Sequence, residues 1–124
     1  MNRKLLLVIL SLAFAAMVYA QGAKPLTVTG YLIDNACEDS AKDASRAKTH
    51  SVSCALMDNC EKSGYSVVTE DNKRYKLSDK GEGMAADLLK NTKTTKGVKV
   101  TVEGNYNGTE LDVTKITEVA AKEN

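Results

Sequence analysis

The stretch GVKVTVEGNYNGTELDVTKITEV, residues 97–119, alternates cleanly, with Val98, Val100 and Val102 on one face and Lys99, Thr101 and Glu103 on the other. Period-two alternation of this kind marks a strand half-buried on a core. Asn107-Gly108 is a residue pair that tolerates positive φ at a tight hairpin turn, and TELDVTKITEV reads as the returning strand. Immediately upstream, GMAADLLKNT is built from good helix formers and predicts a short helix over residues 83–91.

Further back, YSVVTE and KRYKLS flank Asp71-Asn72 and read as a second hairpin with a two-residue turn. Residues 26–34, LTVTGYLID, are rich in β-branched and aromatic types and predict the first strand, with Gly30 as a bulge candidate. Between that strand and the hairpin lies a long polar and then apolar insertion, about residues 35–63. The order is strand, insertion, strand, strand, helix, strand, strand. This is the order of the OB-fold, a partly open Greek-key barrel. The expected fold is therefore mostly β with one or two short helices. It is a five-stranded OB-like barrel with the helix between strands 3 and 4 and a Cys/His-bearing helical insertion between strands 1 and 2. A small α+β sandwich is the alternative.

The N-terminus begins with the basic head MNRK, followed by the apolar run LLLVILSLAFAAMV and then VYA ahead of Gln21. A basic head, a short apolar run and small residues at the cleavage positions are the marks of a secretory signal peptide. The run is shorter than the roughly 20 apolar residues a bilayer span needs. Residues 1–20 are read as the signal and residues 21–124 as one domain with no membrane span. Export to the periplasm is expected, with the extracellular medium as the alternative.

Without residues 1–20, which carry Arg3 and Lys4, fifteen basic and sixteen acidic side chains remain, and the formal charge falls from +1 to −1. A near-neutral chain gives no electrostatic case for nucleic acid or an anionic membrane. Export would put the three cysteines in an oxidising compartment, where disulfides form.

Those cysteines converge on the insertion. HSVSCALMDNC, residues 50–60, holds the only histidine and two of the cysteines, and Cys37 lies upstream. Read as one helix from Ser51 to Glu61, the segment places Val52, Leu56 and Cys60 on a buried face, and His50, Cys54, Met57 and Glu61 on a neighbouring stripe. In such a helix Cys54 and Cys60 stand roughly 9 Å apart along the axis, too far to bridge. Either the helix breaks near Asn59 or Cys37 takes one of the two; Cys37–Cys60 is the preferred pairing because Cys60 lies on the apolar face, and it closes a loop worth about 3 kcal/mol. Cys54 would be left beside His50 as a reactive thiol. The competing reading is a metal centre of Cys37, His50, Cys54 and Cys60, with Met57 as a further ligand candidate. Such a donor set suits zinc or copper. The odd number of cysteines is compatible with both readings; three buried cysteines engaged in neither are the remaining alternative.

Other motifs carry less. The acidic residues Glu38, Asp39, Asp43, Asp79, Glu82 and Asp87 lack calcium-loop spacing and read as solvated charge. Asn107-Gly108-Thr109 matches a glycosylation acceptor, yet the turn alone accounts for it. No Ser/His/Asp order, phosphate loop or paired catalytic carboxylates emerges, and the missing C-x-x-C argues against disulfide cycling. The chain is not expected to be an enzyme.

The segments GYLIDNAC, the His50-x3-Cys54 pair followed by ALM, CEKSGYSVVTEDNKRYKLSDKG and VKVTVEGNYNGTELDVTKI together resemble a family of small secreted bacterial proteins with no established activity. Its members share a GxLxD-x-xC opening, an H-x3-C pair, a third cysteine before SGY and a final V-x-V-x-G hairpin. The resemblance spans nearly all of residues 21–124. It implies an exported OB-like domain with Cys37, His50, Cys54 and Cys60 as signature positions. The expected function is a small binding module taking a transition metal or a thiol-dependent ligand through the insertion. The alternative is a disulfide-stapled interaction module that presents the barrel groove to a peptide or glycan. Partners would be a small ligand, a metal ion or a cell-envelope protein.

Overall fold

A computed structural model describes residues 22–40 and 44–120; the segment read as a signal peptide lies outside them. Five strands form the body: β1 Lys24–Asp34, β2 Tyr65–Val68, β3 Arg74–Leu77, β4 Lys99–Tyr106 and β5 Glu110–Glu118. They close into a barrel in the order β1-β2-β3-β5-β4, with β4 returning to β1. This is the expected OB-like barrel. Helix α4, Asp79–Asn91, lies between β3 and β4. The insertion between β1 and β2 carries a 3-10 segment, Asn35–Ser40, and three short helices: α1 Ala44–Ala47, α2 Val52–Ala55 and α3 Asp58–Lys62.

The long first strand makes closure feasible. Its residues 24–31 pair antiparallel with β4, and residues 31–34 pair antiparallel with β2. Gly30 sits where β1 passes from one partner to the other. It is not a bulge, because it stands in register opposite Val100. Glycine is required there because a Cβ would run into the Val68 carbonyl oxygen and lie 2.8 Å from Val67 Cγ1. The register shift falls instead on β4, between Glu103 and Gly104 opposite β5. The last seam is short and parallel, with Lys76 and Leu77 opposite Glu110 and Leu111.

Inside the barrel, Val98, Val100 and Val102 meet Val67, Leu77, Leu111 and Val113, all buried. The alternation in residues 97–103 is thus the inside-outside alternation of β4. Helix α4 adds Ala85, Ala86 and Leu89 to the same core. It starts four residues earlier than expected. The side chain of Ser78 accepts the Gly81 N–H as an N-cap, and Asp79 and Glu82 place acidic charge in the first turn, which offsets two interior glycines. The β2–β3 connection spans Thr69–Lys73 rather than two residues. Thr69 N–H donates to the Lys73 carbonyl (2.9 Å), and Asn72 takes the left-handed conformation with φ 63°.

All four residues of β2 are buried, because both faces of the strand are covered. Tyr65 and Val67 face the main core, whereas Val68 joins Ile33, Ala44 and Ala47 in a second cluster on the outside of the barrel. The insertion therefore folds back over β1 and β2, and Cys37 packs against that second cluster.

Candidate metal centre

Residues 51–61 are not one helix. The chain breaks at Met57, whose φ/ψ of −61°/143° are extended, leaving α2 and α3 as separate single turns. The Ala55 carbonyl, which a continuous helix would give to the Asn59 N–H, accepts instead from the Tyr65 hydroxyl at 2.7 Å. Ser51 caps α2 by accepting the Cys54 N–H at 3.2 Å, and Asp58 and Glu61 put acidic charge at the start of α3. His50 consequently precedes the helix, and its nearness to Cys54 does not come from i, i+4 spacing. Met57 is 59% exposed and belongs to neither the core nor a helical stripe with His50.

The insertion is pinned at both ends and in the middle. At its root, Asn35 N–H donates to the Gly64 carbonyl (2.9 Å) and Ala36 N–H to Ser63 Oγ (2.9 Å). Ala44 N–H at the start of α1 donates to Asn72 Oδ1 at 2.8 Å. In the middle, Gly97 N–H donates to the His50 carbonyl and Val52 N–H to the Thr95 carbonyl, each at 2.9 Å. Gly97 has a φ of +61°, and a Cβ there would strike the Lys48 backbone. These bonds fix His50 and Cys54 against the lead-in to β4, and Cys37 against the end of β1.

The result is a gathering of donor atoms. One donor atom each from Cys37, His50 and Cys54 lies within 4.8 Å of the others, and the same holds for Asp34, Cys37 and Cys60. Cys37 is common to both groups. All four residues expected at a metal site are therefore brought together, three in one group and Cys60 in the adjoining one. Tetrahedral zinc, with bonds of about 2.3 Å to sulfur and about 2.0–2.1 Å to nitrogen, needs donors roughly 3.5–3.8 Å apart.

Asp34 is the member that reading the cysteines and histidine alone misses. It is fully buried at the end of β1, its Oδ1 lies 2.7 Å from His50 Nε2, and its Oδ2 accepts the Cys37 N–H at 3.1 Å. The available signal was the one charged residue closing the apolar run GYLID, three positions before Cys37.

No disulfide joins the cysteines. In place of the expected Cys37–Cys60 bridge, both sulfurs lie within 4.8 Å of an Asp34 carboxylate oxygen. Burial pushes the Cys37 thiol up to about 12, reinforced by its hydrogen bond to Asp34 and by the carboxylate's charge. Burial, and then the charge of Asp34, also raises Cys60. Asp34 engages His50 through Nε2, and Cys54 stands within 4.8 Å of a His50 ring nitrogen, as the sequence led one to expect.

No family model matches the chain, and neither does any curated protein or solved structure. The chemistry of the site thus rests on its own residues. No helix among the described residues is long and apolar enough to cross a membrane.

Proposed function

We propose that this chain is a small exported binding module that holds a transition-metal ion, zinc or copper, in the insertion between β1 and β2, and that it is not an enzyme. The observation that carries this reading is the convergence of Cys37, His50 and Cys54 to within 4.8 Å, with Cys60 next to Cys37. Three sulfurs and one imidazole form a donor set suited to zinc or to copper(I). The residues come from separate segments of the insertion. Membership of the Cys/His-signature family of secreted bacterial proteins, and placement in the periplasm, accompany this reading.

A second reading, binding of a peptide or glycan in the barrel groove, has one observation in its favour. A cavity of about 390 Å³ lies beside the root of the insertion, lined by Asn35, Ser63, Arg74, Lys76 and Thr109. His50→Ala separates the two. Metal-saturated protein is desalted and its zinc and copper content measured, with circular dichroism as the check on folding. Loss of metal by a folded H50A variant supports the metal module. Equal content in H50A and the unsubstituted chain removes His50 from any binding role.

A further inference from the structure

Asp34 carries more than packing explains. A carboxyl group with no exposure is costly to hold unless it is fully engaged, and here it is engaged almost entirely with the residues of the candidate centre. One oxygen takes the His50 ring at 2.7 Å and the other takes the backbone N–H of Cys37 at 3.1 Å. The His50 side chain is itself only 13% exposed. Its backbone is held on both sides, by its own N–H to the Ala47 carbonyl (3.3 Å) and by its carbonyl to the Gly97 N–H (2.9 Å). With the backbone fixed, the ring retains only its side-chain torsions, and the bond to Asp34 sets those.

We infer that Asp34 is the positioning residue of the centre: it holds the Nε2 proton of His50, which leaves the Nδ1 lone pair to a thiophilic transition-metal ion bound together with Cys37 and Cys54. This rests on the metal reading above and assigns the roles of the two ring nitrogens within it. A histidine ligand that gives its second N–H to a carboxylate is fixed in tautomer and orientation and made more basic. Asp34 as a direct ligand is the competing role, since it also groups with Cys37 and Cys60. The bond to His50 favours positioning, because ligation through Oδ1 would require His50 to give up its partner.

Long-range proton–nitrogen correlation spectra of the zinc-loaded, nitrogen-labelled full chain test this directly, and cadmium-113 in place of zinc reads the bonded nitrogen by its coupling. The expected result is a protonated Nε2 and a metal-bound Nδ1. Metal on Nε2, or a His50 ring without metal in the loaded protein, would overturn it. Asp34→Asn keeps the size of the side chain and removes its charge. It should weaken zinc about 10- to 100-fold and alter the ligand-field bands of the cobalt(II) form while the sulfur-to-cobalt charge-transfer bands persist. Unsubstituted affinity and spectrum in D34N would overturn the role of Asp34 while leaving the metal reading intact. Failure of the unsubstituted chain to bind zinc, cobalt or cadmium would remove both. If D34N does not fold, the nitrogen spectra of the unsubstituted chain decide alone.

Discussion

The Tyr65 hydroxyl donates to the Ala55 carbonyl at 2.7 Å, tying the first residue of β2 to the last residue of the helix that carries Cys54. The bond is buried, and burial, with the Glu61 and Asp34 charges behind it, raises the phenol to about 12. Tyr65→Phe leaves the Ala55 carbonyl without this donor and should cost about 1–3 kcal/mol at pH 7 in urea unfolding. A phenol raised on folding contributes stability that is intact below its unfolded value, near 10, and is lost as pH climbs through 12. The difference between Y65F and the unsubstituted protein should therefore shrink across that alkaline window. A difference that stays constant with pH would contradict the assignment.

Thiol protonation governs metal uptake in the same way. The Cys37 thiol, raised to about 12, is protonated at neutral pH in the metal-free protein, and a metal binds only by displacing that proton. Zinc affinity should fall as pH falls, with about one proton released per ligating thiol. Calorimetry in buffers of different ionisation enthalpy counts those protons; binding with no proton release would exclude thiol ligation.

Ser51 controls the start of α2. Removing its hydroxyl in Ser51→Ala frees the Cys54 N–H that Ser51 Oγ accepts at 3.2 Å, and should cost about 0.5–2 kcal/mol in thermal or urea unfolding. Ser51→Gly should cost only a few tenths of a kcal/mol at the cap itself, so comparing the pair isolates the capping contribution.

Gly30→Ala tests the crossing of β1 between its two partner strands. The added methyl group meets the Val68 carbonyl and the Val67 side chain, and overpacking of this kind typically costs about 1–3 kcal/mol. The same substitution at Gly83, where nothing lies within 4 Å of a built Cβ, should be neutral or stabilising, because alanine favours an exposed helix position.

The barrel was legible because its signals are local. The Val98/Val100/Val102 alternation, Asn107-Gly108 and the Asp71-Asn72 neighbourhood each report on a few adjacent residues, and their order along the chain decides the topology. The insertion was only partly legible. Helical periodicity in residues 51–61 is real in composition, yet the break at Met57 depends on Tyr65, a residue outside the segment that takes the Ala55 carbonyl. Cys37, His50, Cys54 and Cys60 were recognisable as residue types with shared chemistry. Asp34 was not, since its role depends on a contact sixteen residues away. The expected Cys37–Cys60 disulfide failed for the same reason, because the buried carboxylate that both thiols approach is invisible to cysteine spacing.

The central claim is that residues 37–60 bind a metal, and the most direct test is the intact mass of the full chain expressed for export. Mass is taken under native and denaturing conditions, with thiol alkylation before and after chelation. The account predicts a native mass carrying one zinc or copper ion, a denatured mass with all hydrogens present, and three alkylatable cysteines after chelation. A denatured mass two hydrogens light, with one alkylatable cysteine and no native excess, would contradict it and restore a disulfide-stapled module.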